Sequence, residues 1–189
     1  MTVHTPWIVG PSALTKPLVE VLHSNVVATE SCAHDPLASP PGHIDSIAFM
    51  PAVPAPGAFE ALTDSDTIKG PLLWLLTELQ AALPALASSG SVVVLLPQAP
   101  AMGEVAHSAA SAVCGAAMSM ARTWSIELGK ADIRVNTLLY AEAMTDPAAS
   151  TIAPAVAAQL ETFWDPRSSA ITGQEIFVTA GLDIGRLHP

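Results

Sequence analysis

The stretch Ala106–Asn136, AHSAASAVCGAAMSMARTWSIELGKADIRVN, decides how the rest of the chain is read. Val105–Lys130 has the pattern of one long helix, and Asp132–Tyr140 (DIRVNTLLY) that of the strand it feeds. Just upstream, Gly90–Pro97 (GSVVVLLP) is a short, continuous apolar run, as in strands buried on both faces of a parallel sheet. A strand, a helical crossover and a second strand make one parallel unit.

The alternation holds in both directions. Ile171–Gly181 (ITGQEIFVTAG) reads as a last strand. Trp7–Gly10 (WIVG) is a short apolar run ending at a turn. Lys16–Ser24 (KPLVEVLHS) is a short helix with Pro17 in its first turn, where a missing N–H costs little. Asn25–Glu30 (NVVATE) is a second strand, Ser31–Gly42 a Pro-rich connector and Ile44–Met50 (IDSIAFM) a third strand. The segment Thr63–Leu86 offers cap residues, Pro71 and then a long helix. No internal repeat is present. Alternating strands and helices predict an α/β fold with a mainly parallel sheet, and 189 residues suit a single domain, 1–189.

Half of the residues are hydrophobic and 13% are charged, against roughly 25% charged in an ordinary soluble domain. So few charges leave apolar surface that a partner chain would cover. A net charge of −10 with seven Lys and Arg argues against nucleic acid and anionic membrane surfaces, which need clustered cations. Cys32 and Cys114 are too few for a disulfide framework and lack metal-ligand spacing, and the six histidines form no HxxxH or HExxH pair. The start of the chain carries no basic segment followed by an apolar run, so no signal peptide is expected. The greasiest stretch, Pro71–Ala87, contains Glu78 and Pro84 and is too interrupted for a membrane span. A cytoplasmic location is the default expectation.

From Gly90 to Asn136 the chain resembles the short-chain dehydrogenase/reductase (SDR) family without a gap. GSVVVLLP is similar to that family's fifth strand, and MARTWSIELGKADIRVN to its sixth helix and sixth strand. IDSIAFMPA resembles its fourth strand, LTELQAALPAL its fifth helix and ITGQEIFVTAG its C-terminal strand. The resemblance implies a Rossmann-like, doubly wound sheet.

It also implies a chemistry whose residues are absent. The family uses a Tyr as general acid/base, a Lys one helical turn later and a Ser at the end of the preceding strand to polarise the carbonyl. In the ungapped register these positions read Ala110, Cys114 and Pro97. The motif Asn after the fourth strand falls at Met50, and the Pro-Gly after the sixth at Tyr140-Ala141. His107–Ser111 (HSAAS) mimics the Tyr–Lys spacing, but using it would insert three residues into the helix and rotate its apolar face out of register. Cys114 reads better as a small buried hydrophobe than as a reactive thiol, and Tyr140 as packing.

The dinucleotide loop is eroded too. Gly10 is kept, but Leu14 and Lys16 stand on the two other glycine positions, where the pyrophosphate would approach backbone N–H groups. Glu30 ends the second strand where an acid would hold the ribose. Between strands two and four the family places a helix, a third strand and another crossover. Here Ser31–Gly42 supplies twelve residues, three of them Pro. The adenine-side edge, the third strand with its helix, is expected to be reduced or missing. The segment from Asn136 to Ile171 is short for a substrate lobe.

These features predict no catalytic residue, no bound cofactor and no metal. They point to a non-catalytic subunit, assembled as a homo-oligomer or with a full-length active SDR. The long helix offers the interface. Opposite Ala110 and Cys114 lie Ala112, Gly115, Ser119, Thr123 and Ile126, four of them small, at helical spacing. Two rival readings stand beside this one. One is an NAD(P)-dependent oxidoreductase with relocated residues (His107, Ser111 or Tyr140). The other is a binding protein holding an acyl or CoA-type ligand in the vestigial cleft.

Overall fold

A computed structural model describes residues 5–22, 26–31, 40, 42–62, 64–141 and 152–184, with only the backbone for 12–14. Six strands form one sheet: β1 (Pro6–Gly10), β2 (Val27–Glu30), β3 (Ile44–Phe49), β4 (Leu86–Pro97), β5 (Arg134–Tyr140) and β6 (Glu175–Val178). Their order is β2-β1-β3-β4-β5-β6, and every neighbouring pair is parallel.

The helices α1 (Ser12–Val19), α2 (Asp66–Ala82), α4 (Ser108–Glu127) and α5 (Ile152–Trp164) cover both faces, and α3 (Gln98–Ala101) is a single turn after β4. Side chains alternate across a strand, so β4 feeds two cores. Val92, Val94 and Leu96 pack with Trp74, Leu75 and Leu79 of α2 and with Cys114, Ala117 and Trp124 of α4. Val93 and Leu95 join Leu18 of α1 and Val156, Leu160 and Phe163 of α5. Burial on both faces is why GSVVVLLP reads as one unbroken apolar run.

Three element boundaries differ from the sequence expectation. Helix α1 begins at Ser12, so Pro17 is its sixth residue and lies inside the helix instead of in its first turn. Helix α2 begins at Asp66, where the Asp64 carboxylate accepts the Asp66 N–H at 2.9 Å, and Pro71 is therefore interior and buried. In each helix the proline removes a hydrogen bond that packing against the sheet offsets. Helix α4 starts at Ser108, three residues late, because Ala106 adopts a left-handed φ of 64°.

Helix α5 falls outside the sequence expectation, although Ile152, Ala153, Val156, Ala157, Leu160, Phe163 and Trp164 bury one face at helical spacing. Its run of alanines blurs the contrast between faces. Among the described residues the sheet ends at β2, and three of that strand's four residues are exposed. Cys32 and most of the Pro-rich connector (32–39 and 41), and the lobe residues 142–151, lie outside the described residues. No helix among the described residues is long and apolar enough to cross a membrane.

Candidate functional site

In an open parallel sheet, ligands bind beyond the carboxyl ends of the strands. Here Gly10 ends β1, Met50 follows β3, Pro97 ends β4 and Tyr140 ends β5. The ends are tightly joined. Met50 N–H donates to Val9 C=O at 2.9 Å, and Ser31 N–H to Gly10 C=O at 3.2 Å. A Cβ placed on Gly10 would sit 2.6 Å from the Met50 Cβ and 2.8 Å from its carbonyl oxygen. Glycine is therefore required at position 10 by the close approach of Met50, a buried side chain on the family's Asn position.

The positions that should carry proton transfer are closed. Pro97 has no N–H and no polar side chain, and pairs in register with Tyr140. Ala110 is 1% exposed and Cys114 fully buried. Cys114 lies in the core between α4 and the sheet, beside Val94, Leu96 and Ala117, as the small buried hydrophobe that the sequence reading favours. Burial pushes its thiol up to about 12, so the thiolate is suppressed at neutral pH. Tyr140 is 3% exposed and packs with Met50, Leu138 and Ala141.

His107 stands just before α4. Its Nδ1 lies 2.9 Å from Val105 C=O, and its own carbonyl accepts the Ser111 N–H at 2.7 Å. HSAAS therefore straddles the helix start: Ser111 is on α4 and His107 is not.

On the nucleotide side, the Lys16 ammonium lies 3.3 Å from Glu30 Oε1, with both side chains more than half exposed. Lys16 and Glu30 thus form a solvent-exposed surface ion pair. The Leu14 side chain lies outside the described residues. Gly10 packs directly against Met50, and Leu14 and Lys16 stand where the loop's other two glycines would be. Among the described residues, no group of three or more His, Cys, Asp or Glu side chains could hold a metal ion.

One residue at these strand ends carried no sequence signal. Gln98, next to Pro97, is 3% exposed and its Nε2 has no hydrogen-bond partner. A single Gln after a strand is ordinary in a sequence, and only burial makes it notable.

The outward stripe of α4 is exposed along its length. Ala112, Gly115, Ser119, Thr123 and Ile126 are all open to solvent, Ile126 at 76%, and nothing lies within 4 Å of a Cβ built on Gly115. No element among the described residues packs over them, and Leu73 of α2 is 49% exposed.

The sheet order, the two helical layers and the glycine at the end of β1 define a Rossmann-like α/β protein. Neither a protein-family model nor a curated protein matches the chain. Solved structures do. An oxidoreductase of the short-chain dehydrogenase/reductase family from Burkholderia thailandensis aligns over 98% of this chain and 94% of its own, at TM-score 0.76 and 17% identity. A short-chain dehydrogenase/reductase (glucose/ribitol dehydrogenase) from Brucella melitensis aligns over 94% and 95%, at TM-score 0.75 and 20% identity. A short chain dehydrogenase family protein from Francisella tularensis aligns over 94% and 98%, at TM-score 0.72 and 14% identity. The chain has the fold of the short-chain dehydrogenases/reductases.

Proposed function

We propose that this chain is a degenerate member of the SDR family that performs no hydride transfer. It serves as a subunit, pairing through the outer face of α4 with a second copy or with an active relative. One observation carries the reading. The helix that should present Tyr and Lys turns Ala110 and Cys114 into the core, while its opposite stripe is small, apolar in part and uncovered. Small side chains let two helices approach at the short end of the usual separation of about 8–10 Å.

Ser119→Arg tests it. An arginine there is harmless on an exposed helix but costs several kcal/mol, of order 3–5, if forced unpaired into a helix–helix contact. Light scattering is expected to show the variant as a folded monomer, or as a chain that no longer co-purifies with its partner. Unchanged mass and partner would remove the main support for the subunit reading. An oxidoreductase with relocated residues would bind its cofactor. A thermal-shift titration separates the two: no response at millimolar NAD(H) or NADP(H) is expected, and a micromolar dissociation constant would revive the enzyme reading.

The unpartnered Gln98 Nε2 at the end of β4 favours a second reading, in which the strand ends hold an acyl-type ligand by its carbonyl. Native mass spectrometry of protein purified from its source would show such a ligand as added mass.

A further inference from the structure

The other end of the sheet has a site of its own. At the starts of β4 and β5 a cleft of about 320 Å³ is lined by Ser89, Asp132, Arg134, Pro166, Ser169 and Thr172, among others. It lies on the opposite side of the sheet's strand direction from Gly10, Pro97 and Tyr140, and owes nothing to the family's chemistry.

Arg134 is 6% exposed. Its Nη1 donates to Phe163 C=O at 2.6 Å and to Ser168 C=O at 3.2 Å. The first caps the last turn of α5, the second holds the turn Pro166–Ser168 that follows it, and together they use both protons of that nitrogen. The Nε–Nη2 edge has no partner among the described residues, yet its atoms are not sealed from solvent. That edge is the planar fork that takes a carboxylate through two parallel hydrogen bonds. Desolvation lowers the Arg134 pKa and the charge of Asp165 opposes the shift, while the Asp165 oxygens accept from Arg167 at the surface.

Two further observations belong to the same place. Ser89, inside β4, is a non-glycine residue with left-handed backbone, φ 69°, and lines the cleft; Asp132 lines it too, its φ of 59° being the usual left-handed close of the helical turn Leu128–Ala131. Strain such as that at Ser89 persists where the surroundings hold it, and gathers at binding sites. Ser91, directly across from Arg134 in the register, buries a hydroxyl without a partner. Capping α5 accounts for neither.

We propose that this cleft is a binding site for a small carboxylate, gripped by the Nε–Nη2 edge of Arg134, with the hydroxyls of Ser89 and Ser169 at its walls. Asp132 on the rim and the net charge of −10 select a planar monoanion over a phosphate dianion.

The test reads the arginine itself. In ¹⁵N NMR, acetate titrated into the whole chain, at ionic strength matched with chloride, is expected to shift the Arg134 Nε–H resonance saturably. Inorganic phosphate is expected to shift it less. Ser169→Glu places a competing carboxylate at the exposed mouth without touching the Arg134 bonds to Phe163 and Ser168. It is expected to keep its melting temperature and to weaken acetate binding at least tenfold. The proposal is overturned by the absence of a saturable acetate shift, which would leave Arg134 as a helix cap only, or by an equal response in Ser169→Glu. A stronger response to phosphate would overturn the carboxylate assignment.

Discussion

The β4–α4–β5 half of the molecule and its β1–β2 half were built to different standards. Every residue of β5 and all of Gly90–Pro97 in β4 are buried, and α4 packs six side chains inward. Strand β2 is four residues long, mostly exposed, and is the last strand on its side among the described residues. In the SDR fold the first half carries proton transfer and the second the adenine end of the cofactor. The well-packed half carries apolar side chains at Pro97, Ala110 and Cys114, and the other half ends, among the described residues, in one short and mostly exposed strand. A core can lose its chemistry without losing its stability. An exposed edge with little buried surface has no comparable reason to persist.

The sharpest way to break this comparison is to restore the missing pair. Ala110→Tyr with Cys114→Lys puts an ammonium and a phenol into the sealed contact between α4 and the sheet. Burying an unpaired charge and overpacking add, so a loss of about 3 kcal/mol or more is expected in urea denaturation. No nicotinamide-dependent ketone reduction should appear. A stable, active double variant would mean that the cleft survives.

The glycines sharpen it from the other side. Gly10→Ala meets Met50 at 2.6 Å, with a backbone oxygen at 2.8 Å, and is expected to cost about 1–3 kcal/mol. Gly115→Ala meets nothing and sits in a helix, so thermal denaturation of the isolated chain should show a gain of about 0.5–1 kcal/mol. The same substitution thickens the outer stripe of α4, so light scattering should show weaker assembly. Gain in fold with loss of assembly separates packing from interface in one variant.

The Cys114 thiol makes a pH-dependent test of how well the α4 core is sealed. Burial holds its pKa in the folded chain at about 12, above the ordinary thiol value of 9.0. Below 9 both states hold the proton, and the thiol adds no slope. Above 9 the unfolded chain releases it while the folded chain keeps it, so stability falls with rising pH until about 12, by up to about 1.4 kcal/mol per unit. Denaturation at pH 8 and pH 10.5 should show a smaller decline in Cys114→Ala than in the parent. Equal declines would mean that water reaches the thiol. The smallest effect belongs to the thin half: Lys16→Ala removes only an exposed ion pair and should change stability by less than about 1 kcal/mol.

Much of this was legible in the chain itself. The periodicity of Gly90–Tyr140 and the apolar runs at Trp7–Gly10 and Ile44–Met50 carry the sheet and its parallel sense. They do so because a strand buried on both faces must be apolar throughout, and a parallel crossover needs a minimum length. The identities Pro97, Ala110 and Cys114 likewise put no Ser, Tyr or Lys on the positions that the resemblance, in its ungapped register, assigns to the proton relay. Other features were set by residues far apart in sequence. Glycine at position 10 answers to Met50, and the thiol of Cys114 to the sheet beneath α4. The free edge of Arg134 exists because Phe163 and Ser168 occupy its other nitrogen. A sequence states which groups are present and with what period. Which of them are desolvated, crowded or left with a donor to spare depends on contacts between distant segments, and those contacts form only when the sheet closes.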